Sequence, residues 1–166
     1  MDSIYLGFTA FLFVLAVFDL ISGVSNDAVN FLNSAIGARV ATFKTIIIVA
    51  AAGVFLGASM SNGMMEVARH GVFHPSMFSF REVMFIFLAV MISDVILLDV
   101  FNTLGLPTST TVSMVFELLG GTFAMALVKS FSEQGVNMME MMNTGKALSM
   151  IIAIFVSVAI AFFFGT

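Results

Sequence analysis

The chain alternates long apolar runs with short polar stretches. Residues 4–22 are apolar apart from Asp19, and residues 45–65 and 147–166 carry no charge. Residues 83–104 are interrupted by Asp94 and Asp99, and residues 108–128 by Glu117. A helix rises 1.5 Å per residue, so about 20 apolar residues cross a hydrocarbon core of about 30 Å. The pattern therefore predicts an all-α membrane protein with about five transmembrane helices. The stretches 66–82 and 129–146 hold half of the charged residues and read as loops. No Pro- or Ser-rich linker divides the chain, so residues 1–166 read as a single transmembrane domain. The first run reads as a span and not as a cleaved signal, because "MDS" offers no basic residue and Asp19 interrupts the apolar segment.

Composition strengthens this picture. Hydrophobic residues make up 60% and charged residues 10%, against about 25% charged in a soluble domain. Twenty phenylalanines and fourteen methionines need lipid to cover them. The net charge of −4 is thinly spread, with no basic patch for nucleic acid. The absence of cysteine excludes disulfides, thiolate metal sites and cysteine nucleophiles. No Ser/His/Asp set, Walker loop or Rossmann glycine pattern occurs, so neither an enzyme nor an organic cofactor is expected.

Two polar interruptions carry the candidate chemistry. The first is "GVSNDAVNFLNSAIGARVAT", residues 23–42. Gly23 followed by Ser-Asn-Asp predicts a break near residues 23–27 and a new helix from about Ala28 to Gly37. Helical spacing sets Asn26, Asn30, Asn33, Ser34 and Gly37 on one face. Capping accounts for Ser25 or Asp27, but not for amides continued over two turns. An ionisable group inside a span is a functional candidate, and one carboxylate with amide oxygens suits a monovalent cation. Asn26, Asp27 and Asn30 are the candidate ligands for such a cation, with Ser34 and Asp19 in support.

The second is "FNTLGLPTSTTVSMVFELLGG", residues 101–121. Pro107 stops one helix and suits the first turn of the next, which predicts a break near residues 105–108. Thr108, Ser109, Thr110 and Thr111 then crowd a helix start that has free N–H donors and partial positive charge. Capping needs one hydroxyl; four in a row form an anion cradle without lysine or arginine. An oxygen site for a cation beside a helix start for an anion is how secondary transporters couple an ion to a charged solute.

Other polar residues are less specific. Asp94 and Asp99 could line a substrate path, make a subunit contact or form a buried structural pair, and Glu117 could support the site from two turns into its helix. His70 and His74 in "HGVFH" read as a loop pair without a role. Met138, Met139, Met141 and Met142 read as gap-fillers in preference to a Cu(I) site.

The two segments resemble the paired signatures of the inorganic phosphate transporter (Pit) family. Gly23, Asn26, Asp27, Asn30, Ser34, Gly37 and Thr42 fit the first, with one extra residue before Asn26. Pro107, Ser109 and Thr111 fit the second, with Gly120 nearby. Val112 stands where many members have His, and Val49 about where several have a membrane-embedded Glu. The resemblance implies symport of inorganic phosphate with Na⁺ or H⁺ by two inverted repeats, each carrying both signatures. Each signature occurs once here, so the chain reads as one repeat: the N-terminal half of a longer transporter, or a half-transporter that pairs as a homodimer. Five crossings would invert the next repeat, as such a pair requires.

The expected partners are phosphate, the coupling ion, the bilayer and a second repeat or copy. No cofactor is expected, and the candidate bound metal is Na⁺, should Na⁺ be the coupling ion. The expected location is the cell membrane, a bacterial inner membrane, with several passes. The alternatives are a sulfate permease on the same scaffold and a non-transporting subunit whose polar residues join helices. Arg69, Arg81, Lys129 and Lys146 on the N-terminal side would place the N-terminus in the cytoplasm. The resemblance implies an N-terminus outside, and is preferred over so few charges.

Overall fold

The computed structural model describes residues 3–66, 70–132 and 137–165. Arg69 and Glu133, which enter the loop charges, lie outside them. The elements are α1 (Ser3–Gly37), α2 (Phe43–Ser59), α3 (Asn62–Glu66), a 3₁₀ turn (Pro75–Met77), α4 (Phe80–Leu104), α5 (Thr110–Ser132), α6 (Met138–Met141) and α7 (Thr144–Gly165). Helices α1, α4, α5 and α7 are long and apolar enough to cross a membrane. Helix α2, at 17 residues, sits at the lower limit for a span. The protein is an all-α, multi-pass membrane protein. Phe13, Phe55, Phe155 and Phe163 are exposed, as side chains that meet lipid must be.

Three boundaries depart from expectation. The first helix does not break at residues 23–27: α1 runs unbroken for 35 residues to Gly37. Its polar side chains find partners that leave the helical ladder intact. Ser25 Oγ donates to the Ile21 carbonyl one turn back, at 2.8 Å, and Asn26, Asp27 and Asn30 bond to residues 102–110. Gly23 does not bend the helix; it lies near α4 and α5, where a Cβ would make ordinary contact at 3.7 Å with both Leu98 and Thr110. The second span is shorter than 45–65. It stops at Ser59, where the Ser59 and Ser61 hydroxyls donate to the Phe55 and Ala58 carbonyls, a competition that weakens a helix end. Helix α5 starts at Thr110, two residues later than expected. The break near 105–108 is present.

The chain forms two compact units, one of residues 1–65 with 91–113 and the other of 66–90 with 114–166. In the first, α1 and α2 are in contact. Helix α1 stops where Arg39 takes a left-handed φ of 51° and the Val40 amide donates to the Ala35 carbonyl at 3.3 Å, a Schellman stop. Thr42 caps α2 by accepting from the Thr45 amide at 3.3 Å. A groove of about 300 Å³ between these helix ends is lined by Phe31, Leu32, Ile46 and Val49 among others.

The second unit has an apolar core that includes Val72, Phe73, Phe78, Ile86, Leu118 and Met141. Phe73 meets Phe78 edge-on at 5.6 Å between ring centres. The stretches read as loops pair with each other. Phe73 and Met142 form an antiparallel bridge, flanked by His74 N–H to the Met141 carbonyl at 3.0 Å and Asn143 N–H to the Val72 carbonyl at 2.8 Å. Of the methionine cluster, Met141 is fully buried in this core and Met139 is exposed. His70 pairs with Glu66 at 3.0 Å on the surface. Ser79 and Glu82 form a capping box at the start of α4, each accepting from the other's amide. Lys129 Nζ then donates to Glu82 at 3.0 Å and to the Met77 carbonyl at 3.1 Å.

Helix α5 reaches Ile86 and Val90 through Gly121, where an added Cβ would lie 3.4 Å from Val90 and 3.5 Å from Ile86, whereas Gly120 faces open space. Overpacking of such a contact costs about 1–3 kcal/mol. Gly121→Leu should therefore lower the thermal unfolding midpoint in detergent by several degrees, while Gly120→Leu leaves it unchanged. Equal midpoints for the two variants would contradict the packing described.

Candidate functional site

The turn between α4 and α5 is built by three residues in succession. Gly105 adopts φ +65°, a left-handed conformation that glycine reaches without steric cost. Its amide donates to the Asn102 carbonyl at 3.2 Å, and the Leu106 amide donates to the Phe101 carbonyl at 2.9 Å. That pair of bonds is a Schellman stop, and Pro107 follows it as a residue that cannot continue the helix. Ser109 then caps α5: its carbonyl accepts from the Ser113 amide at 2.9 Å and its Oγ from the Val112 amide at 3.4 Å.

This turn is fastened to α1 by amide side chains. Asn26 Nδ2 donates to Asn102 Oδ1 at 2.9 Å and to the Leu106 carbonyl at 3.2 Å, and Asn26 Oδ1 accepts from the Thr108 amide at 2.9 Å. Asn102 Nδ2 donates in turn to the Ser22 carbonyl at 3.1 Å. Asn26 is 4% exposed, so these bonds are shielded from competing water. One turn along, Asn30 Nδ2 donates to the Thr108 carbonyl at 3.1 Å. A cavity of about 160 Å³ lies against this junction, lined by Asn26, Asn102, Gly105 and Pro107 among others.

The two candidate segments meet directly at Asp27. Thr110 Oγ1 donates to Asp27 Oδ2 at 3.1 Å. The carboxylate is half-buried and sits at the first residue of α5, the end of a helix that favours negative charge. Among the described residues the amides of Thr110 and Thr111 have no hydrogen-bond acceptor, so two donors of the first turn remain available beside it.

The predicted residues therefore divide. Asn26, Asp27, Asn30, Thr108 and Thr110 are brought together. Ser109 is adjacent; its Oγ accepts from the Val112 amide, which leaves its own hydroxyl hydrogen to donate, whereas the hydroxyl hydrogen of Thr110 is directed to Asp27. Thr111 is exposed at the same helix start. Ser34 and Asn33 are exposed farther along α1, away from these bonds. Asp19 and Asp94 contact each other and not Asp27, and Ser113 Oγ donates to Asp94 Oδ1 at 3.2 Å. Asp99 is exposed. Val49, at the position compared with a membrane Glu, lines the apolar groove.

The residue that sequence reading undervalued is Asn102. An amide at the last turn of an apolar span, just before Gly-Leu-Pro, was its only signal. Asn26 makes three bonds to protein, and each buried polar group left unpaired costs about 1–3 kcal/mol. Asn26→Ala should therefore remove hydrogen-exchange protection from the Thr108 amide and destabilise the protein by about 2 kcal/mol. Asn33→Ala, on the exposed part of the same helix, should do neither.

The sequence pattern of the phosphate transporter family matches residues 23–166. No curated protein and no solved structure matches the chain. The matched region begins at Gly23, the residue packed against Leu98 and Thr110, and takes in both polar segments and the turn that joins them. With the match extending over most of its length, this chain belongs to the phosphate transporter family.

Proposed function

We propose that the chain supplies one repeat of an ion-coupled phosphate symporter, in which Asp27 and the start of α5 form the coupled site. The observation that carries this reading is the bond from Thr110 Oγ1 to Asp27 Oδ2 at 3.1 Å. It sets a carboxylate beside the amides that would receive an oxyanion. A carboxylate and a phosphate oxygen about 4 Å apart repel by about 4 kcal/mol at an effective dielectric of 20. A monovalent cation held by Asp27 removes that repulsion, so phosphate binds well only after the cation has arrived. Asn30 Oδ1 is the second oxygen within reach of this role, because only its Nδ2 is engaged.

Asn26 and Asn102 hold the frame. The oxyanion is received by the Thr110 and Thr111 amides, with the Thr108 and Thr111 hydroxyls as further donors. Na⁺ and H⁺ both suit a lone carboxylate with an amide oxygen. The second repeat, whether a further segment or a second copy of this chain, completes the enclosure of the substrate.

Three measurements test the proposal in proteoliposomes. Asp27→Asn should abolish coupled phosphate uptake while insertion and folding persist; uptake at the normal rate in that variant would refute the assignment. Thr110→Val, which removes the hydroxyl but keeps the shape, should raise the cation concentration for half-maximal uptake about tenfold, the equivalent of about 1.4 kcal/mol. Excess sulfate should leave labelled phosphate uptake intact, and full competition would point to a sulfate permease.

A further inference from the structure

A second polar cluster lies in the same unit and takes no part in the site above. The side chains of Asp19 on α1 and Asp94 on α4 are within hydrogen-bonding reach of each other. Asp94 is 5% exposed, and Ser113 Oγ donates to its Oδ1 at 3.2 Å. Asp19 Oδ1 is closed off from solvent, and no described donor reaches it.

Two carboxylate oxygens cannot hydrogen-bond without a proton between them, and two negative charges in such contact cannot both persist in a low-dielectric setting. The neighbouring helices do not supply a compensating cation. Residues 3–37, 91–104 and 110–128 contain no Lys, Arg or His. The other titratable groups on these segments are acidic: Asp27 eight residues along α1, the exposed Asp99 on α4, and Glu117 four residues beyond Ser113 on α5. The buried Asp19 oxygen without a donor and the directed Ser113 hydroxyl together identify what is missing as a single hydrogen.

We infer that Asp19 and Asp94 form a proton-binding site that holds one proton between two carboxyl groups, with Ser113 fixing the acceptor on the Asp94 side. The site is separate from Asp27. Its protonation changes the charge of the membrane-embedded unit by one, so pH acts on the protein here whichever cation Asp27 holds. Only the consequence for transport rests on the proposed function.

Infrared spectroscopy of the lipid-reconstituted chain tests the site without phosphate or flux. At neutral pH the wild type should show the carbonyl stretch of a protonated carboxylic acid, shifted in heavy water. Asp19→Asn and Asp94→Asn should each lose that band, because the introduced amide replaces the shared proton as donor. Asp27→Asn should keep it, and Ser113→Ala should shift its frequency. Asp19→Asn alone suffices if the Asp94 variant does not fold. Absence of the band in the wild type, or its persistence in Asp19→Asn, overturns the inference. In uptake measurements, Asp19→Asn should flatten the dependence on pH while retaining uptake. An unchanged pH profile with the band lost overturns the role in transport alone, and that result is distinct from the loss of uptake expected of Asp27→Asn.

Discussion

The buried amide of Asn26 is the interaction on which the candidate site depends. It bonds to Asn102, Leu106 and Thr108, and so ties the middle of a long apolar helix to a turn about eighty residues later in the chain. In lipid a backbone group without a partner is costly, and the 102–109 turn exposes several. An asparagine can donate twice and accept from a third group, which lets one side chain satisfy an amide and a carbonyl of the turn and join a second asparagine. A carboxylate could not donate, and an apolar residue could do neither.

Everything at the site follows from that fastening. With Thr108 held by Asn26 and Asn30, the first turn of α5 falls beside the next residue of α1, and Thr110 reaches Asp27. The negative group is thereby placed at a positive helix end, where it is stabilised without a basic residue. In the proposed symport, a fixed positive charge would hold an anion whether or not the coupling ion were present, whereas a carboxylate would make the anion's affinity depend on that ion.

The remaining acidic groups show how environment separates similar residues. Asp27 faces a helix start, Asp94 is buried against Ser113 and Asp19, and Asp99, five residues along the same helix, is exposed. Five residues turn a helix by about 140° at 100° per residue, so two carboxylates on α4 meet different surroundings. Sequence spacing alone places Asp94 and Asp99 together as a pair; the rotation between them assigns Asp94 to Asp19 instead.

The class of protein, its membrane-crossing helices and its family were legible in the sequence, because apolar run length and the two polar segments depend on local order alone. The stop at Gly105 and Pro107 was legible for the same reason, since a left-handed residue followed by proline ends a helix in any context. The continuity of α1 was not. Glycine and the Ser-Asn-Asp run signal a helix start only while their side chains lack other partners, and here those partners come from residues 102–110. The role of Asn102 and the pairing of Asp19 with Asp94 were likewise decided by tertiary structure. A side chain's hydrogen-bonding capacity is written in the chain, but which group it meets depends on segments far apart in sequence being packed together.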